Sequence, residues 1–547
     1  MEKLNIANKI ISIILCFSVM MSVFPMRIFA NTEPKVLDDE YIYLDLFYGD
    51  ITLSSSGYSG YVLESGEAVK KTGTIDRKIY IYQSNGDSTI WENGLPKYDR
   101  VAAPSSAQGT TWGDYITNNT NINSVINNWK TEATNVNRSA TGYRISITGG
   151  DDYDVTIDNI WSSYHYANSA RTTGGLAFYA NTSTASSATI TLKGDNRFGN
   201  VFYATSSYKN HKMIFDSIDD ATLTVADFVA GGSANHYNSA IGGTDSAGGD
   251  TIGLVFESGI IYAGTTYADN CTAIGAGGNA KGDITINGGT ITAVSNSTGV
   301  AIGGGIGFSS GGGDAEIEIN GGQIYAYNFG YGGIPAAAIG GGSSSASDGN
   351  KSTIVTINGG NVYAESVAGT AIGGGSSKTK NGGSATINIG GTAVVTARSV
   401  AGTYNGSTLN AGAAIGGGTG GSDSGKNGGN ATVNISGNAR VYTGSIGGGK
   451  TNNSTGTIGN ATVEISDSPI IQGQFIMAAG ATNPCSFTMD GGSIDNSDKT
   501  DEFIFLQENG GAVYVENGNA TMNGGTITGC YTAIDGGAVY VDGGDFT

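Results

Sequence analysis

Proline fills only 7 of 547 positions, while glycine fills 90. That imbalance argues against a flexible Pro/Gly/Ser linker, and the lack of a strict triplet argues against collagen, so the glycines must punctuate something regular. Basic residues are few, 27 Lys+Arg against 47 Asp+Glu. The resulting charge of −20 speaks against nucleic acid or an anionic membrane as partner, since both demand basic patches. Beyond Cys16 in the leader, Cys271, Cys485 and Cys530 are odd in number and far apart, so no disulfide framework is indicated. The three histidines, His165, His211 and His236, show no spacing that suggests a transition-metal site. No hydrophobic segment long enough to span a membrane follows the first residues.

Those first residues read as a secretory signal. Lys3 and Lys9 precede the apolar run "IISIILCFSVMMSVF", and Ala30 offers a cleavage point before Asn31. Leu15 before Cys16 argues against a lipoprotein anchor. Residues 1–30 are therefore expected to be a signal peptide, and the mature chain extracellular, either secreted or attached to a cell surface.

What the chain has in abundance is a repeat. "AIGGG" or a close variant begins at Ala240, Ala273, Ala301, Ala338, Ala371 and Ala414, and "SIGGG" at Ser445, a period of about 34 residues. Each unit runs from this corner through a polar loop to a "TING"-like run and then a second run such as "QIYAY". Both runs alternate apolar with polar residues, as strands with one buried face do. Ile284 and Ile286 match Ile317 and Ile319, Val355 and Ile357, Ile387 and Ile389, Val433 and Ile435, then Val463 and Ile465. The second run adds Ile291, Ile324, Val362 and Val441, and the corner adds Ile302, Ile339, Ile372, Ile415 and Ile446. Three short strands per turn with stacked aliphatic columns predict an all-β, right-handed parallel β-helix, its coils about 4.8 Å apart. Asn287, Asn320 and Asn358 share one bend, where their amides are expected to bond along the stack and satisfy buried backbone groups.

The repeat disposes of a motif. "GSIGGGKT", Gly444 to Thr451, fits the phosphate-loop pattern, but sibling corners carry Ser343, Ser376 or Thr419 where this one has Lys450, and no helix pattern follows. No nucleotide is expected.

Residues 141–480 are assigned to the β-helix with the AIGGG repeats. Residues 31–140 read as a strand-rich N-terminal cap, with Ile122, Val125, Ile126 and Trp129 spaced for a short amphipathic helix that would cover the open end of the stack. Residues 481–547 carry further coils of the type "GGAVYV", starting at Gly510 and Gly536. The second of these stops partway, so either the sequence is a fragment or its gene is truncated, and any wall anchor would lie downstream.

"AIGGG…ATVNISG" and "GGAVYV…ATMNGGTITG" resemble the right-handed β-helix repeats of large surface proteins from Gram-positive gut bacteria, and "GYSGYV…IYIYQSN…DVTIDNI" is similar to their leading segment. The resemblance implies a pectin-lyase-like architecture and an adhesin or carbohydrate-binding role, a fold that does not by itself imply a reaction. Of the polygalacturonase motifs N-T-D, D-D, G-H-G and R-I-K, only "DD" at Asp151 and Asp152 is present.

Candidate sites are few. Asp151, Asp152 and Asp154 in "GGDDYD" could offer carboxylates to calcium, although the ligand spacing of known loops is missing and an acidic turn is the default. Glu316 and Glu318 share a strand face without an accompanying lysine or arginine. All four tryptophans lie in the N-terminal third; Trp91 and Trp112 are candidates for stacking on sugars, with packing in the cap the blander use. The outward position of the second run holds Tyr262, Thr292, Tyr325, Tyr363, Thr396 and Tyr442. This interrupted tyrosine ladder either supports the sheet or lines a binding face. The expected protein is a non-enzymatic, monomeric surface protein needing no cofactor, its partner a polysaccharide or a surface glycoprotein. The alternatives are a structural stalk and a polysaccharide lyase or glycoside hydrolase.

Overall fold

The computed structural model describes residues 39–83 and 143–547 apart from internal stretches, the longest being 163–174, 228–238, 244–252 and 498–509, together with the pairs 91–92 and 95–96. The chain divides into two compact units. In the first, Met1–Asp39 with Asp87–Asp99, the described structure is a short antiparallel pair of Trp91–Glu92 with Leu95–Pro96. The second, Glu40–Gly86 with Arg100–Thr547, is a parallel β-helix.

Each regular coil contributes three strands. In one coil these are Ala315–Ile319, Gln323–Asn328 and Ile339–Gly340, and the next coil begins again at Thr353–Ile357. Strands of the first kind stack into a 14-stranded sheet that runs from Tyr41–Asp45 to Gly518–Met522. Strands of the second and third kinds form two further ladders. The long strands Arg440–Gly447 and Ile470–Ala478 bend from one ladder into the other and so join them in one sheet.

The register follows the sequence repeat residue for residue. Ile286, Ile319, Ile357, Ile389, Ile435, Ile465 and Met489 are successive partners in the first ladder, all buried. Ile291, Ile324, Val362, Val395 and Val441 are successive partners in the second. The corner column is Ile241, Ile274, Ile302, Ile339, Ile372, Ile415 and Ile446. Inward side chains at every second position meet only their own kind above and below, which sets the register because a slip by one residue would turn each column to solvent.

The glycine after each corner isoleucine has a specific cause. Gly340 has φ +144°, and a Cβ placed there would lie 1.9 Å from the carbonyl oxygen of Gly373 in the next coil. Only a residue without a side chain allows the coils to approach at this corner.

The bend after the first strand carries the amide ladder, with a different role from that expected. Asn358 Nδ2 donates to Asn320 Oδ1 at 2.9 Å, Asn320 Nδ2 to Asn287 Oδ1 at 3.0 Å, and Asn287 Nδ2 to the Glu257 carboxylate at 3.0 and 3.1 Å. These side chains are exposed and bond one another rather than buried backbone. Buried backbone at the following bend is served by hydroxyls instead: Ser366 donates to Ala336 O at 2.7 Å and Ser399 to Gly369 O at 2.6 Å.

At the N-terminal end the parallel sheet starts well before residue 141. Tyr41–Asp45 pairs with Lys78–Tyr82, which pairs with Tyr153–Asp158. Part of the expected cap is thus built as coil strands, with an antiparallel hairpin, Gly57–Glu64 and Glu67–Gly73, attached. The amphipathic helix expected near Ile122–Trp129 lies outside the described residues, as does the signal segment. Among the described residues the helical structure is one 3-10 turn, Leu46–Tyr48, capped by Asp45.

Candidate functional site: the outward face of the second ladder

Alternation turns Tyr262, Thr292, Tyr325, Tyr363, Thr396 and Tyr442 outward, and the structure places all six in one register column. The four tyrosines are half-buried, whereas Thr292 is 4% exposed and so is no part of an open surface. A second outward column runs beside it: Gly264, Val294, Tyr327, Glu365 and Arg398. Val294 and Tyr327 are buried although they point away from the core.

The two columns meet in one cluster. The Tyr327 ring lies 5.5 Å from that of Tyr363, tilted by 40°, and is stacked on Phe329 at 6.4 Å. The Tyr363 hydroxyl donates to Glu365 Oε2 at 2.7 Å, and Arg398 Nη1 approaches the same hydroxyl at 3.4 Å and Glu365 at 3.6 Å. Burial, then the Glu365 charge and its hydrogen bond, push the Tyr363 phenol up to about 12; Arg398 opposes the shift. Burial also raises the Tyr327 phenol, with Tyr363 and Glu365 adding to it. Both hydroxyls stay protonated at neutral pH, so Tyr363 works as a hydrogen-bond donor and a ring surface, not as a base.

Sequence reasoning missed a second aromatic cluster, on the outward face of the first ladder. Tyr80 packs against Tyr43 at 5.1 Å and Tyr41 at 5.7 Å. Its hydroxyl donates to Asp158 and accepts from Lys193 Nζ at 2.6 Å, while Lys193 also pairs with Asp158 at 3.1 Å. The lysines occupy ring faces, Lys193 over Tyr80 and Lys78 over Tyr41. Tyr80 is 6% exposed, so the network closes the face instead of opening it. The signal was present in "YIYLD" and "KIYIY", whose alternation puts the tyrosines on one side.

Other expected groups fall apart or find ordinary partners. Asp152 accepts from the Ser187 backbone and hydroxyl at 2.8 Å, and Asp154 faces Lys78 at 4.0 Å. Asp151, Asp152 and Asp154 are not gathered into a cation site, and no group of three or more acidic, histidine or cysteine side chains is so gathered among the described residues. Glu316 does have a basic companion, Lys281 of the preceding coil at 2.5 Å, which strand-by-strand reading could not reveal. His211 bonds Ser186 at 2.8 Å with both side chains buried, a satisfied core pair; His165 and His236 lie outside the described residues. The side chains of Trp91 and Trp112 also lie outside them. Within "GSIGGGKT" the strand Arg440–Gly447 runs through the first residues, and the Thr451 hydroxyl donates to Lys426 O, so the segment is a β-helix corner.

The arrangement can offer tyrosine rings and one Glu–Arg pair to a ligand lying on a sheet. No protein family, no curated protein and no solved structure matches the chain.

Proposed function

We propose that the chain is an exported surface protein that binds glycan, without catalysis, along the outward face of the second ladder. The observation that carries this is a register column in which half-buried Tyr325 and Tyr363 are adjacent, with Tyr262 and Tyr442 each one threonine further along the same parallel sheet. Aromatic rings fixed by a rigid scaffold present flat apolar faces with a polar edge, the chemistry that sugar rings stack on. Partners of this kind are polysaccharides and surface glycoproteins. The pectin-lyase-like likeness and the export signal support an adhesin.

The stalk reading draws on the Tyr327–Tyr363 contact, which stabilises the sheet by itself. Replacing Tyr325 and Tyr363 together by threonine, the residue at sibling positions Thr292 and Thr396, separates the two. The double variant should keep its β-rich circular dichroism and lose glycan-array or whole-cell binding, each ring contributing about 1 kcal/mol. Unchanged binding would leave the stalk. Release of new reducing ends or unsaturated products from plant or host polysaccharides, abolished by changing Asp151 or Asp152, would instead establish an enzyme.

A further inference from the structure

We propose that Tyr363, Glu365 and Arg398, with Tyr325 beside them, form a subsite for an uncharged sugar bearing adjacent hydroxyls; this rests on the glycan-binding reading of the same face. In a solenoid the structural demands repeat, so a local departure from the repeat needs its own cause. The inward positions of these coils obey the repeat: Ile324, Val362 and Val395 stack in one column, Ala326, Ala364 and Ala397 in the other. The outward positions do not. Thr292 and Val294 serve the preceding coil, whereas the next coils carry Tyr325 and Tyr327, then Tyr363 and Glu365, then Arg398.

The chemistry of the cluster fits one class of ligand. A carboxylate accepts from hydroxyls and a planar guanidinium donates to them, so a Glu–Arg pair matches two neighbouring sugar hydroxyls, which both donate and accept. Glu365 and Arg398 keep 20% and 26% of their side-chain surface exposed, enough to reach a ligand. Tyr327, nearly enclosed, holds the Tyr363 ring in place as a platform. Charge selects against acidic sugars at the subsite itself: Glu365 offsets Arg398 at 3.6 Å, and the chain carries −20.

Affinity electrophoresis or calorimetry of the full-length mature protein tests this with three soluble probes: galactomannan, hydroxyethyl cellulose and polygalacturonate. The wild-type protein should bind at least one neutral probe and not polygalacturonate. Glu365→Gln and Arg398→Gln should each weaken that binding about ten-fold or more, as expected for hydrogen bonds to charged groups. Arg398→Lys should weaken it too, because the planar fork is lost while the charge stays. Glu464→Gln, on the outward face of the first ladder, should bind as wild type. If Glu365→Gln loses its circular dichroism, Arg398→Lys decides. Neutral-probe binding that survives all three cluster variants but fails in the Tyr325/Tyr363 double variant overturns the subsite and leaves the face. Preference for polygalacturonate, lost in Arg398→Gln, overturns the uncharged class. A wild-type protein that binds no glycan at all overturns both readings.

Discussion

Tyr327 and Tyr363 lie on successive coils with their rings 5.5 Å apart, although the register partner of Tyr363 is Tyr325 and that of Tyr327 is Glu365. The contact is therefore diagonal, between two outward columns. It buries one phenol almost completely and leaves the other half-covered.

Alkaline pH should expose this arrangement. The Tyr363 phenol is raised from its usual 10.0 to about 12, chiefly by burial, and that of Tyr327 is raised as well. Below about 10 both folded and unfolded chains hold the proton, and the contribution to stability is intact. Above that the unfolded chain ionises first, so stability falls until the pH passes about 12. Urea denaturation across this range should show the loss, to which the raised phenols of Tyr80, Tyr82, Tyr153 and Tyr327 also contribute, and Tyr363→Phe should lessen the slope by its own share. A Tyr363→Phe protein with the same pH slope would mean that this phenol is not among the sources.

The corner glycines are predicted to be unequal to other glycines. Gly340→Ala puts a methyl group 1.9 Å from the Gly373 carbonyl at φ +144°, and should cost more than about 4 kcal/mol or prevent folding. Gly425 also has positive φ, +70°, but nothing within 4 Å, so Gly425→Ala should cost only about 1 kcal/mol of backbone strain. Equal denaturation midpoints for the two variants would contradict the close approach of the coils.

The first ladder offers the same contrast within one strand. Ile357 is fully buried and Ile354 is 40% exposed. Ile357→Ala should cost about 2–5 kcal/mol by leaving a cavity between two flanking isoleucines. Ile354→Ala should stay within about 0.5 kcal/mol. Equilibrium unfolding in guanidinium measures both.

The exposed amide chain has a direction, from Asn358 through Asn320 and Asn287 to the Glu257 carboxylate. Asn320→Asp keeps the acceptor for Asn358 but loses the donor to Asn287, and two acceptors then face each other. A deficit of about 1 kcal/mol is expected at neutral pH, shrinking under acid as the new carboxyl gains a proton and donates again. A deficit independent of pH would show that the amides do not act as a chain.

Much of this was legible in the residues. Period-two alternation repeated at similar spacing determined the all-β class, the three strands per coil, the aliphatic columns and the register of Tyr262 to Tyr442. It could do so because alternation fixes which way a side chain leaves the strand, and identical neighbours fix which strand lies beside it. The amide ladder was legible for the same reason, though not its exposure.

Tertiary structure alone decided what the outward residues meet. Alternation sends Thr292, Val294, Tyr327 and Tyr80 away from the core, yet each is buried. Lys281 reaches Glu316 across coils, and Tyr327 meets Tyr363 instead of its own register partner. Direction is a property of the strand and repeats with it. Covering depends on side chains long enough to lean past their own column, as Tyr327 does toward Tyr363 and Lys193 toward Tyr80, and these do not obey the period of the repeat.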